Sequence, residues 1–159
     1  METETPAEVD QAMMDVALAE ARASLAVGGV PVGAALAAGG RLIASGHNER
    51  VQSADPIAHG EMSCLRNAGR QPSYLGMTLY TTLSPCQMCT GAILLFQIPR
   101  VVVGEATTFG GDLEFLREHG VAVTLADDER CKAVMQEFQQ RYPAVWSEDI
   151  GGRYGHPAP

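Results

Sequence analysis

The sequence predicts an α/β domain in which helices cover the faces of a sheet. Three observations carry that expectation. Residues 30–45 read as two strands around Gly39-Gly40, residues 77–104 read as strand, helix and strand, and the flanking segments repeat apolar residues at helical spacing. In residues 10–27, Met13, Val16, Ala17, Leu18, Ala21 and Leu25 recur with a helical period until Gly28-Gly29 breaks it, which predicts a first helix. Residues 30–37 and 41–45 flank a glycine pair suited to the positive φ values of a two-residue hairpin turn, so these strands are expected to be antiparallel. Polar residues dominate 46–56, a loop, and residues 59–68 form a second helix ended by Gly69.

Residues 77–83 read as a strand, Pro85 suits the first turn of a helix over 86–96, and 100–104 is again a strand. Such a β-α-β unit requires parallel strands and a right-handed crossover. Residues 107–112 read as a loop, 113–119 as a short helix stopped by Gly120, 121–125 as a strand, and 127–142 as a helix capped by Asp127 or Asp128. After Pro143 no convincing period is found.

With 159 residues, 46% of them hydrophobic and 19% charged, the chain suits one domain with a sizeable core. It lacks the run of about 18 apolar residues that a membrane span needs, so no membrane partner is expected. The acidic start, Met1-Glu2-Thr3-Glu4-Thr5-Pro6, has neither the basic nor the apolar region of a secretory signal, which predicts a cytoplasmic protein. A formal charge of −8, from 11 Lys plus Arg against 19 Asp plus Glu, disfavours a polyanionic partner, and no nucleic acid is expected.

Of the four cysteines, Cys86 and Cys89 form a Cys-x-x-Cys pair, which in this setting points to metal or redox chemistry. His59-Gly60-Glu61 and Pro85-Cys86-Gln87-Met88-Cys89 together match the H-x-E…P-C-x-x-C signature of zinc-dependent nucleobase deaminases. The first turn of a helix places the two sulfurs on one face, where one metal takes both, and the helix N-terminus favours their thiolate forms. His59 completes a three-ligand set, leaving the fourth tetrahedral position open, as catalytic zinc requires. Glu61, two residues on, does not share His59's helix face; it is better placed beside the metal as a general acid/base. There it takes a proton from water activated at the metal and passes it to the ring nitrogen and the departing amine. Competing readings are a structural zinc site with Cys64, Cys131 or another His as fourth ligand, a redox dithiol, and coincidental core residues. A redox dithiol leaves His59-Gly60-Glu61 unexplained. Cys64 and Cys131 read as buried reduced thiols, and His47, His119 and His156 as non-ligands.

Beyond these motifs, Gly28-Gly29-Val30-Pro31-Val32-Gly33, Gly46-His47-Asn48, residues 81–92, Ile98-Pro99-Arg100, Val102-Val103-Gly104-Glu105, residues 127–132 and Trp146-Ser147-Glu148-Asp149-Ile150-Gly151 resemble the fungal-type cytosine deaminases. The resemblance spans the chain from the first helix to about Gly151, so residues 1–151 are expected to form a single zinc-dependent deaminase domain. Residues 152–159 extend past the family's usual end and are expected to be disordered. It implies a three-layer α-β-α fold around a five-stranded mixed sheet, a homodimer, and hydrolytic deamination of a free base, cytosine to uracil plus ammonia. By the same likeness His59, Cys86 and Cys89 hold one zinc ion per subunit and Glu61 shuttles the proton. Asn48 holds the pyrimidine carbonyl and ring edge, Asp149 accepts from the exocyclic amine, and Phe109 and Trp146 enclose the ring. Backbone groups of Gly60 and Ser84 contact the base and leaving group, and Val32 replaces a pocket isoleucine.

The chain departs from the family where Ile93-Leu94-Leu95-Phe96-Gln97 stands for a usual tyrosine-glycine ending, and where Gly110-Gly111-Asp112 lacks common lysines. Because one methylene is worth only about 1–3 kcal/mol of discrimination, isocytosine, amino-s-triazines or other related rings compete with cytosine as substrate. Guanine deamination, transfer-RNA adenosine editing and a non-catalytic zinc module are the remaining alternatives.

Overall fold

A computed structural model describes residues 4–150, and the expected 152–159 extension lies outside them. Helix α1 (Pro6–Ala26) starts four residues before the periodic stretch, because Thr5 and Glu8 form a reciprocal capping box and Pro6 occupies the first turn. Strands β1 (Gly33–Ala38) and β2 (Arg41–His47) pair antiparallel around Gly39 and Gly40, at φ 56° and 77°. The first strand begins at residue 33 rather than 30. Pro31 has no N–H for the ladder, and Val32 N donates to Val30 O instead.

The stretch expected to be all loop contains the four-residue helix α2 (Arg50–Ser53). It leads to α3 (Gly60–Ala68), β3 (Met77–Leu83), α4 (Gln87–Leu95), β4 (Arg100–Glu105), α5 (Leu113–Glu118), β5 (Ala122–Leu125) and α6 (Glu129–Arg141), capped by Asp128. Residues after 142, in which the sequence shows no period, form α7 (Pro143–Asp149).

The five strands run in the order β2-β1-β3-β4-β5, antiparallel through β3 and parallel from β3 to β5, which makes the expected mixed sheet. Alternation along the strands sorts side chains into two cores. Ala35, Ala37, Tyr80 and Val102 join Leu18 of α1, Phe138 of α6 and Trp146 of α7 on one face. Ala34, Leu36, Leu79, Val101 and Val103 join Cys64 of α3, Ile93 of α4 and Leu116 of α5 on the other. The three layers follow from that division.

Parallel strands bring functional loops to one end of the sheet. Past the end of β3, Ser84 N donates to Glu105 O at 2.9 Å, and Glu105 Oε2 accepts from the backbone N–H groups of Thr107 and Thr108. These bonds shape the loop that carries Phe109. The N-termini of α3 and α4 open at the same end, and there the signature residues meet.

Candidate active site

His59 is the N-cap of α3 and Cys86 the N-cap of α4, both extended at the point where the chain turns into a helix. Cys86 therefore precedes the first helical turn, and Cys89 lies inside it. The ligand atoms of His59, Cys86 and Cys89 all fall within 4.8 Å of one another. His59 Nδ1 lies 3.5 Å from Cys86 Sγ. A tetrahedral zinc with ordinary Zn–N and Zn–S bonds sets that separation at about 3.6 Å, so the group fits zinc. Cys64 and Cys131 are buried free thiols outside the cluster, and among the described residues no other His, Cys, Asp or Glu completes it to four. The donor set is that of an open site.

Without metal the two thiols differ in acidity. The hydrogen bond with Cys89 holds Cys86 down to about 4 against the cost of its burial, with His59 assisting. The same bond, together with burial and the charge of Glu61, pushes Cys89 well above its ordinary value. Metal ligation by both sulfurs requires release of that shared proton. Burial opposes a charged His59, yet the Cys86 hydrogen bond and the charges of Asp149 and Glu61 outweigh it and raise the imidazole to about 9.

Glu61, 3% exposed, receives the Thr81 hydroxyl on Oε1 at 2.9 Å, and its Oε2 lies 3.3 Å from Cys89 Sγ. Burial, then the nearby Cys86 charge, raises its pKa above the ordinary carboxylate value. Gly60 is required beside it: a Cβ there would stand 2.6 Å from Val32 O, the carbonyl that accepts from Asn48 N.

Beside these residues lies a cavity of about 340 Å³. Its lining includes Val32, Asn48, His59, Gly60, Glu61, Ser84, Cys86, Phe109, Trp146 and Asp149, so of the residues singled out in the sequence only Cys89 sits behind the wall. Pro56, Leu83, Gln87, Met88 and Ile150 also line it and carry no separate signal in the sequence. The Phe109 and Trp146 rings meet edge to face, with centroids 6.5 Å apart. Asn48 is buried, with Oδ1 accepting from Arg50 N at 3.0 Å. Asp149 Oδ1 lies 3.0 Å from Arg50 Nη1 and 3.7 Å from His59 Nε2. Burial raises the pKa of Asp149, opposed by His59, Arg50 and Asn48. Arg50 is the site neighbour that sequence reasoning missed, since its stretch, dominated by polar residues, read only as a loop.

Residues 7–105, more than half of the chain, match the sequence profile of the cytidine and deoxycytidylate deaminase zinc-binding region. The chain belongs to this deaminase family. It is 46% identical over 145 residues to the cytosine deaminase of Candida albicans, covering 89% of this chain and 97% of that protein. The structure superposes on a tRNA:A34 deaminase that edits the wobble position of transfer RNA, with TM-score 0.70 and 31% identity, covering 78% of this chain and 99% of the other. It also matches the guanine deaminase of Nitrosomonas europaea, with TM-score 0.68 and 25% identity over 88% of this chain and 87% of that one. Family membership and the His/Cys/Cys geometry make this deaminase zinc-dependent.

Proposed function

We propose that the protein hydrolyses the exocyclic amine of a free nucleobase, converting cytosine to uracil and ammonia. The observation that carries the reading is the meeting of a three-ligand zinc set with buried Glu61 at one cavity, which also presents the Asn48 amide and the Asp149 carboxylate. Zinc, when bound, supplies the Lewis acid that makes water nucleophilic near neutral pH. Glu61 takes one proton from water and gives it to the ring nitrogen as the C–O bond forms. It then takes the second proton from the added hydroxyl and gives it to the exocyclic amine, the C–N bond breaks, and ammonia leaves. Asn48 and Asp149 orient the ring edge, and Phe109 and Trp146 enclose its faces. Val32 and the backbone at Gly60 and Ser84 complete the wall.

The near full-length likeness to a cytosine deaminase supports cytosine over other rings. The guanine deaminase match and the small Val32 side chain favour a second reading, in which a purine, isocytosine or amino-s-triazine undergoes the same chemistry. A buried carboxylate beside the metal ligands weighs against a purely structural zinc module. A homodimer and a reducing, cytoplasmic setting belong to the same proposal. Exposed Leu75, Leu95 and Phe96, with Tyr74 stacked on Phe96, offer an apolar face to a second copy, and the thiol ligands suit a reducing compartment.

The test is ammonia release by the zinc-loaded protein from cytosine, isocytosine, guanine, adenine and amino-s-triazines, with Glu61→Gln alongside. Cytosine is expected to turn over fastest, and Glu61→Gln to lose about 100-fold or more while keeping its zinc. Turnover of a purine or triazine alone would overturn the substrate, and full activity of Glu61→Gln would overturn the role of Glu61.

A further inference from the structure

Arg50 opens a helix of only one turn, yet its side chain is just 14% exposed. A guanidinium withdrawn from water needs a partner. Its Nη1 meets Asp149 Oδ1 at 3.0 Å, and that carboxylate is itself 6% exposed; a second contact, to exposed Glu148 at 3.6 Å, is looser. The backbone N–H of the same residue donates to Asn48 Oδ1 at 3.0 Å. A backbone N–H can only donate, so the amide atom facing it is the oxygen, and Nδ2 is the end of Asn48 left to serve as a donor. On Asp149, Oδ1 faces both Arg50 and His59, and the carboxylate also takes a hydrogen bond from the Asn48 side chain. One residue thus touches both polar groups assigned to reading the base, although they stand about 100 positions apart in the chain.

We infer that Arg50 is a positioning residue for base recognition, fixing the Asn48 amide through its backbone and the Asp149 carboxylate through its guanidinium. The inference rests on the proposed function, because it takes Asn48 and Asp149 as the ring's contacts. Holding both groups in place before the substrate arrives reduces the ordering cost of binding. The backbone half of the arrangement survives substitution, whereas the guanidinium half does not. The effect of a side-chain change should therefore pass through Asp149 alone. Two other roles for the same contact give different results: a purely structural pinning of α7 to α2 by Arg50, or support of His59 and the metal by Asp149 instead of the ring.

The experiment compares zinc-loaded wild type, Arg50→Gln, Arg50→Lys, Asp149→Asn and the Arg50→Gln/Asp149→Asn double variant, measuring kcat and KM for cytosine, zinc content and melting temperature. Arg50→Gln is expected to raise KM about tenfold or more, the size of a lost charge-assisted hydrogen bond, with a smaller change in kcat and full zinc content. Arg50→Lys is expected to recover part of the loss. In the double variant Arg50→Gln should add less than about twofold to Asp149→Asn. Wild-type KM in Arg50→Gln, with or without lower thermal stability, overturns the inference. So do fully multiplicative losses in the double variant, and so does zinc loss in Arg50→Gln. Should Arg50→Gln fail to fold, Arg50→Met keeps the aliphatic packing and is judged by the same outcomes. Absence of turnover of any amino-substituted ring by wild type overturns the proposed function itself, whereas normal turnover with unchanged KM in the Arg50 variant overturns only the role of Arg50.

Discussion

Thr81 Oγ1 lies 2.9 Å from Glu61 Oε1 and 3.0 Å from the carbonyl of Leu83, and a hydroxyl has one proton to share between them. The residue is fully buried, so water cannot replace it as the donor that orients Glu61. Thr81→Val preserves the shape and removes the hydroxyl. It is expected to cost about 1–3 kcal/mol of stability and to lower kcat about tenfold, with zinc retained. Thr81→Ser is expected to restore kcat. Measuring kcat and zinc content across this pair is the check, and an unchanged kcat in Thr81→Val would mean that Glu61 is held by the metal-site residues alone. The visibility of such residues in the sequence depends on how far away their partners lie. His59 and Glu61, like Cys86 and Cys89, sit two or three positions apart inside helix-opening segments, so spacing alone exposes their chemistry. Thr81 acts on a group 20 positions away and Arg50 on one 99 positions away. No local pattern encodes either pairing, which only the folded sheet and the return of α7 create. Phe109, Trp146 and Asp149 are intermediate cases: their types alone read as core or surface, and only likeness to a family brought them to the site.

Among the elements, α4 ends in a Schellman arrangement, with Ile98 N donating to Ile93 O and Gln97 N to Leu94 O. That ending requires a left-handed residue after the cap, and Gln97 occupies it at φ 56°. A side chain in that region costs about 1–2 kcal/mol, which glycine avoids, although glycine also gives the unfolded chain more freedom. Gln97→Gly is thus expected to stabilise the protein by about 0.5–1 kcal/mol, read as a higher urea midpoint with an unchanged slope. A lower midpoint would show that the Gln97 side chain contributes more in place than its backbone costs. The position falls within Ile93-Leu94-Leu95-Phe96-Gln97, the stretch where the sequence departs from the ending that the resemblance implies. Element legibility follows length and period. Residues 77–83 are rich in β-branched and apolar side chains and 100–104 hold Val101-Val102-Val103, and the strands lie at or within one residue of those bounds. Helix α2 has four residues and α7 seven, too short to show a full amphipathic repeat. Burial of Trp146 against the α1–α6 core, rather than a local period, accompanies the second of these.

At the scale of the whole molecule, the same three-layer frame serves proteins named for cytosine, guanine and transfer-RNA adenosine, so the fold cannot choose among substrates. Surface charge can. Affinity for RNA depends on cations free to replace the counterions of phosphates, and this chain has a formal charge of −8 with only 11 Lys plus Arg. Seven of those basic residues already pair with Asp or Glu among the described residues: Arg50, Arg66, Arg100, Arg117, Arg130, Lys132 and Arg141. Each must leave a carboxylate before it can neutralise a phosphate, and the excess of Asp plus Glu, 19 against 11 Lys plus Arg, repels the backbone. An RNA anticodon stem-loop is therefore expected to show no binding at protein concentrations up to about 10 μM in physiological salt, the range where even non-specific basic binders begin to associate. No adenosine in it should become inosine. Fluorescence anisotropy of a labelled stem-loop, followed by analysis of its nucleosides, makes the test. Saturable binding at or below that concentration together with inosine formation would place this chain with the tRNA-editing enzymes; absence of both, with ammonia released from a free base, separates it from them by the charge it carries on a shared frame.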